Sequence, residues 1–233
     1  KKEFEHSYTF GVFPTLELIE HRRSAAVKVL VSEAGLKNKG VAKLEELCER
    51  HTIPFEVNSK AVERLAPREN SFAIGVFRKY AGKLDPKSDH VLLVNPSDMG
   101  NLGTIIRTML GFNVTNLGII RPAADIFDPR VARASMGALF SLNHEYFDNY
   151  EAYSATYAAP PRALYPFMTN GNQPLSNTHF SHPNTLIFGN ESSGLPDSYR
   201  TIGHTITISH GNKIDSLNLT IAVALGLYEA NKK

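Results

Sequence analysis

Between residues 84 and 233 the chain returns again and again to short apolar runs that do not alternate with polar residues. LLV at 92–94 and LIF at 186–188 show the pattern most clearly. A strand without alternation is one whose two faces are both covered. Helical stretches separate these runs: GTIIRTMLGF at 103–112, PRVARASMGALFSL at 129–142 and SLNLTIAVALGLYEANKK at 216–233. Strands are expected at HVLLVN, VTNLGIIRP, PRALYPFM, NTLIFGN and HTITIS, with a tyrosine-rich connection after residue 142. Strands that alternate with helices imply an α/β domain built on a mostly parallel sheet.

The first part of the chain alternates as well. Helices are expected at 12–24, 37–51 and 59–67, and strands at 26–34, 53–58 and 71–80. KYAGKLDPKSDH at 79–90, polar with Gly and Pro, reads as a linker. The boundary is placed near residue 84, giving domains at 1–83 and 84–233, and 233 residues suffice for both.

Charge divides unevenly between these parts. Residues 1–83 hold 15 Lys and Arg against 11 Asp and Glu, and the remainder holds 10 against 12. A basic first third suits a module that faces a polyanion, although a solvated surface gives the same count. The candidate contacts are Arg22, Arg23, Lys37, Lys39, Arg68, Arg78 and Lys79. A single cysteine, Cys48, excludes an internal disulfide, and cysteine scarcity favours a reducing, cytoplasmic setting. Its context, AKLEELCERH, suggests a packed core thiol. No apolar run approaches the roughly 18 residues of a membrane span, and KKEFEHSYTF does not read as a signal peptide.

Three expected strands end in unusual polar loops: NPSDMGNLGT at 95–104, GNESSGLPDS at 189–198 and HGNKIDSLNLT at 210–220. Ligands of open α/β sheets bind beyond the carboxyl ends of the strands, where such loops converge. Each loop taken singly could be a turn followed by a helix cap. The familiar nucleotide signatures, GxxxxGK[ST] and GxGxxG, are absent from the sequence. So is the GxSxG of hydrolases, and His179 and His182 stand in a loop without further metal ligands.

Taken together, the three loops resemble the motifs of the SpoU (TrmH-like) RNA 2'-O-ribose methyltransferases of the SPOUT superfamily. GNLGTIIRT carries Asn101 and Arg107 six positions apart. FGNESSGL, Phe188 to Leu195, carries Glu191, and DSLNLTIAVALGLYE carries Ser216, Leu217 and Asn218. RASMGALF at 133–140 is similar to the small-residue stretch of that family, and the resemblance covers residues 90–230. Residues 1–83 are more loosely similar to the ribosomal-protein-like α/β substrate domain that many members carry.

The resemblance implies a deep trefoil knot in the C-terminal domain, S-adenosylmethionine as donor, tRNA or rRNA as acceptor, and a homodimer that completes the site. It implies that Gly189, Asn190, Ile208, Ser209 and Leu217 hold the cofactor, and that Arg107, Asn101, Glu191, Ser216 and Asn218 serve catalysis. A sulfonium donor carries its own positive charge, so no metal is expected. A guanidinium stays protonated and is a poor base, so Arg107 is expected to bind phosphate and offset charge on the developing alkoxide. A salt-bridged surface arginine is the alternative. Asn101 is expected to orient Arg107 or the ribose, or to cap the helix. Glu191 is expected to anchor Arg107 or loop amides, and Ser216 to cap the last helix. Leu217, Ile221, Leu225 and Tyr228 form an apolar stripe suited to core or dimer contact. A non-catalytic RNA-binding protein on the same fold, and an enzyme acting on a small nucleotide, are the competing readings.

Overall fold

The structure is a computed structural model that describes residues 5–66, 71–211 and 213–232. Arg68 lies outside the described residues. Chain contacts divide the molecule into two compact units. One holds the described residues up to Tyr80 together with Asp125–Ser141, and the other holds Ala81–Ala124 with Leu142 onward.

The first unit opens with β1 (His6–Phe10), followed by α1 (Val12–Arg22), β2 (Ala26–Val31), α2 (Lys39–Arg50), β3 (Phe55–Val57), α3 (Ser59–Leu65) and β4 (Ala73–Arg78). The sheet order is β1-β4-β2-β3, with only the β2–β3 pair parallel. β1 is not among the strands expected from the sequence. Its inward positions are Ser7 and Thr9 rather than apolar residues, and both are satisfied internally. Ser7 Oγ donates to the Phe127 carbonyl at 2.5 Å, and Thr9 Oγ1 accepts from Gly75 N–H at 2.8 Å. The amphipathic α2 buries Val41, Leu44, Leu47 and Cys48 against Ile19, Val29 and Val31. Burial and then the nearby Glu45 charge push the Cys48 thiol up to about 11, so it is an inert core residue.

The second unit begins with β5 (His90–Val94), α4 (Met99–Gly111) and β6 (Asn116–Ile120). The chain then contributes α5 (Pro129–Ala134) to the first unit. The helix expected over 129–142 stops at Ala134. Met136 and Gly137 take positive φ values of 52° and 84°, which no continuing helix permits, and a 3-10 turn at Ala138–Ser141 follows. The second unit resumes with β7 (Asn143–Phe147), α6 (Tyr150–Thr156), β8 (Ala163–Pro166), β9 (Gln173–Pro174), β10 (Asn184–Phe188), β11 (Ile206–Thr207) and α7 (Leu219–Ala230). β7 and α6 replace the expected tyrosine-rich connection. β7 is a half-polar edge strand, so it lacks the apolar run that marks β5 and β10.

The large sheet runs β7-β6-β5-β10-β8, and every pair in it is parallel. β5, β6 and β10 are buried at all five positions, as both-face cover requires. At the amino end of β5, the buried His90 bridges Asp85 O and Tyr153 Oη, each at 2.8 Å. Tyr153 Oη lies 2.7 Å from Thr185 Oγ1 on β10. These bonds tie the central strands to α6. Among the described residues, no helix is long and apolar enough to cross a membrane.

Candidate active site

Two of the three loops leave the carboxyl ends of β5 and β10 in the large sheet, the third follows β11 in a separate two-stranded sheet, and Glu191 joins the first two. Its carboxylate accepts from Ser97 Oγ at 2.9 Å, from Ser97 N–H at 3.2 Å and from Asp98 N–H at 3.2 Å. Partial burial acts to raise the Glu191 carboxyl. Hydrogen bonds from its own amide, from Asp98 and from Ser97 outweigh that effect and hold it below the usual glutamate value. Asn190 adds a second tie. Its Nδ2 donates to the Asn95 carbonyl at 2.8 Å, while its Oδ1 accepts from Ser192 N–H at 2.9 Å and Ser192 Oγ at 2.8 Å.

The turn closes on itself between Asn190 and Gly194, whose amides and carbonyls exchange bonds of 3.2 and 3.0 Å. That closure fixes the identity of Gly189. A Cβ there would stand 2.1 Å from the Gly194 carbonyl carbon and 2.3 Å from Leu195 N. Gly189→Ala would therefore force the loop open. This is why the run FGNESSGL needs its first glycine.

A cavity of about 370 Å³ lies between this turn and the segment that leads from β11 into α7. Gly189, Asn190, Glu191, Ile208, Ser216 and Leu217 line it, so the structure brings together six of the ten expected cofactor and catalytic positions. Ile206 and Leu219 extend its apolar wall, and the stacked rings of Phe167 and Phe188, 4.4 Å apart, form another side. Glu191, Asp197 and Asp215 also face it, and no Lys or Arg among the described residues does. A wall with carboxylates and no cations suits a positively charged ligand and repels a phosphorylated one.

Asn101, Arg107, Ser209 and Asn218 do not line this cavity. α4 buries Leu102, Gly103, Ile105, Ile106 and Met109, which leaves Asn101, Thr104 and Arg107 across its outer face. Asn101 and Arg107 are six residues, ~9 Å, apart along the axis, and no hydrogen bond joins them among the described residues. Arg107 is exposed and has no carboxylate partner there, so the salt-bridged alternative does not hold. Nor does Asn101 cap α4. Asp98 does, accepting from Asn101 N–H at 2.7 Å. Glu191 anchors loop amides and not Arg107.

The cap of α7 differs from expectation too. Asn218, not Ser216, holds it, with Oδ1 accepting from Thr220 N–H at 2.8 Å and Thr220 Oγ1 at 2.7 Å. Ser216 is exposed at the cavity edge, and Ser209 is exposed outside it. Sequence reasoning misses Ser97 and Asp98 as partners of Glu191, and Asp197, His210 and Asp215 as wall residues. The polar run NPSDMGN is the available signal for the first two.

Of the basic candidates in the first unit, Arg23, Lys37, Lys39 and Arg78 are exposed. Arg22 lies over the Tyr80 ring at 5.5 Å, and Lys79 pairs with Asp125 at 2.5 Å, so both are engaged within that unit.

The model of the SpoU rRNA methylase family matches residues 89–228, well over half of the chain. The chain belongs to the SpoU rRNA methylase family. It is 33% identical over 195 residues to a 23S rRNA (uridine(2479)-2'-O)-methyltransferase of Streptomyces viridochromogenes, a match covering 80% of this chain and 63% of that protein. It is 28% identical over 144 residues to a tRNA/rRNA methyltransferase, itself uncharacterised, of Synechocystis, covering 61% of this chain and 53% of that one. The chain thus spans between about half and two thirds of the length of these curated relatives. Among solved structures, the SpoU methyltransferase AviRb from S. viridochromogenes superposes with a TM-score of 0.84 at 25% identity, covering 98% of this chain and 89% of that one. The same enzyme solved with its cofactor AdoMet superposes with a TM-score of 0.83. The mostly parallel α/β architecture is therefore that of the SpoU methyltransferases.

Proposed function

We propose that this protein transfers a methyl group from S-adenosylmethionine to a ribose 2'-hydroxyl of structured RNA, tRNA or rRNA. The observation that carries the reading is the cavity closed by FGNESSGL, lined by carboxylates and apolar side chains and free of Lys and Arg among the described residues. Those residues fit a donor that joins an aromatic base to a cationic chain. Ile206, Ile208 and Leu217 offer the apolar wall for the base, while Asp215 and Glu191 offset positive charge, Asp197 being paired with Arg200. The volume lies within the range of small-ligand sites. The bound donor supplies an activated methyl group on a positively charged sulfur. The 2'-oxygen would gain that carbon as the sulfur–carbon bond breaks, the sulfur would leave as the neutral thioether of S-adenosylhomocysteine, and the hydroxyl proton would pass to solvent water.

In this reading Arg107 holds a phosphate of the acceptor nucleotide and offsets the negative charge that develops on the oxygen. Alignment of donor and acceptor supplies most of the acceleration. A second copy of the chain completes the acceptor side. The outer face of α7 supports that step, with Ile221 and Tyr228 each about half exposed and Leu225 beside them. Arg23, Lys37, Lys39 and Arg78 hold RNA in the first unit, which serves as the substrate domain, in a cytoplasmic setting. The family's trefoil knot belongs to the same reading. It is supported by the approach of the 189–195 turn and of residues 206–210 and 215–219 to one cavity.

The test incubates the protein with isotope-labelled donor and unmodified tRNA or rRNA, followed by nucleoside mass spectrometry. Label on a 2'-O-methyl nucleoside is the expected result. Label confined to a base overturns the position. RNA binding with neither transfer nor uptake of S-adenosylhomocysteine favours the non-catalytic reading.

A further inference from the structure

Arg121 follows β6 directly, on the same carboxyl-end rim as the 95–98 and 189–195 loops. Its guanidinium carbon lies 4.4 Å from the centroid of the Tyr146 ring on β7. Both partners are held by backbone. Arg121 N–H donates to the Phe147 carbonyl at 2.9 Å, Asn95 N–H donates to the Ile120 carbonyl at 3.0 Å, and Tyr146 Oη donates to the Ala124 carbonyl at 3.0 Å. The guanidinium therefore sits in a built position and not at the end of a loose chain.

Arg107 apart, the other arginines of this unit spend their donors within the fold. Arg162 spends its donors on Pro86 O, Ser88 O, Asn184 O and Thr185 Oγ1, and Arg200 pairs with Asp197 at 2.9 Å. Arg121 is exposed, and among the described residues no carboxylate forms an ion pair with it, the neighbouring Asp148 included. Stacking on a ring engages the face of a guanidinium, whereas its five N–H donors lie in the plane and point outward past the ring edge. An arginine seated over a ring, with no acceptor on its N–H groups among the described residues, is arranged for a planar, bidentate acceptor that arrives from solvent. Phosphodiester oxygens fit that description. β6 is two strands from β10, so Arg121 lies roughly 10 Å across the sheet from the strand that feeds the cavity.

We propose that Arg121, seated on Tyr146, is a phosphate clamp that fixes the RNA backbone on the rim beside the methyl-transfer site. This rests on the RNA reading above. Arg121 is a positioning residue, and Tyr146 acts through it.

The test measures binding of a short fluorescent single-stranded RNA of mixed sequence to wild type, R121Q, R121K, Y146F and Y146L at rising salt, with S-adenosylhomocysteine calorimetry on each variant. R121Q is expected to weaken RNA binding by roughly five- to tenfold and to lower the slope of log affinity against log salt by about 0.7, the loss of one phosphate contact. R121K is expected to keep the slope and lose affinity, because charge stays while the fork is lost. Y146L follows R121K in affinity, and Y146F, which keeps the ring but loses its tie to Ala124, falls between wild type and Y146L. S-adenosylhomocysteine binding is unchanged throughout. Wild-type affinity and slope in R121Q would overturn this inference alone, whereas a wild-type chain that binds no RNA would overturn the RNA reading with it. Inorganic phosphate that displaces RNA at equal concentration would make the pair a free-anion site and likewise overturn the clamp.

Discussion

The two sides of the candidate site are built to different standards. On the cavity side, Gly189, Asn190 and Glu191 are held by bonds to Asn95, Ser97 and Asp98, and a single added methyl at Gly189 would collide with backbone. On the helical side, Asn101 and Arg107 stand on the outer face of α4, and their side chains have no hydrogen-bond partner among the described residues. In the proposed reading the contrast separates two tasks. A small donor that enters a cleft is gripped best by a cleft that exists beforehand, since preorganisation spares the cost of ordering loops. A large acceptor brings its own phosphate and ribose oxygens, and an arginine that waits for them must not be neutralised in advance. In the proposed reading the first side is supplied by one chain, and the second becomes complete with substrate and a second copy.

Arg107→Ala is the change that divides the two sides most sharply. It should reduce methyl transfer by on the order of 100- to 1,000-fold, about 3–4 kcal/mol of transition-state stabilisation. The dissociation constant for S-adenosylhomocysteine should stay at the wild-type value. Single-turnover transfer and calorimetry check the pair of outcomes. A variant that loses cofactor affinity as well would abolish the distinction between the two sides.

Acid should destabilise the large sheet that carries the built side, acting at the amino end of β5. Burial lowers His90 from 6.5 to about 4, with its hydrogen bond to Asp85 O acting the other way. A depressed histidine in the folded state means that the unfolded chain takes up the proton first. Stability should therefore fall as pH drops from about 6.5 towards 4, by roughly 3 kcal/mol in total, and then level off. Urea unfolding across that range should show the slope, and His90→Gln should flatten it. A wild-type curve without slope would mean that His90 is not held neutral on folding.

Glu191→Gln tests the tie between the two loops. The substituted amide keeps one acceptor but places a donor against the N–H groups of Ser97 and Asp98, at a cost of about 1–2 kcal/mol in a half-buried setting. S-adenosylhomocysteine affinity, read by calorimetry, should drop by a comparable factor. In the wild type the same contact should weaken only at a pH below the usual glutamate range, because the carboxyl is held down and its contribution disappears as pH falls through the lowered value.

The ordering of the chain into strands and helices is legible wherever burial leaves an apolar signature. β5, β6, β10 and α2 fall where their sequences place them. β1 is not legible because its inward side chains are hydroxyls, and β7 because an edge strand needs only one apolar face. Among the site residues, the Gly189–Glu191 turn is legible because its backbone geometry demands particular residue types. The roles within it are less so. Which side chain caps a helix depends on one or two residues of phase, and on that phase Asp98 replaces Asn101 and Asn218 replaces Ser216. Arg121 carries no signal at all, because nothing local tells an arginine stacked on a tyrosine of another strand from one in solvent.

The smallest expected effect addresses a residue whose side is undecided by its cap alone. Asn218 spends Oδ1 on Thr220 N–H and Oγ1, which makes it the cap of α7, but its Nδ2 has no such duty among the described residues. Asn218→Ala removes the cap and should cost about 1 kcal/mol. Asn218→Asp keeps an acceptor in the same place, adds a favourable charge at a helix N-terminus and should leave stability within about 0.5 kcal/mol of wild type. The amide donor is lost in both variants. If Asn218 only caps, Asn218→Asp transfers methyl groups at the wild-type rate while Asn218→Ala shows a modest loss that tracks its stability. If Nδ2 faces the acceptor ribose or phosphate, Asn218→Asp is the slower enzyme of the two despite being the more stable, because a carboxylate there repels phosphate. Thermal melts and single-turnover rates on the two proteins decide between these orders, and the second result would move Asn218 from the built side to the waiting one.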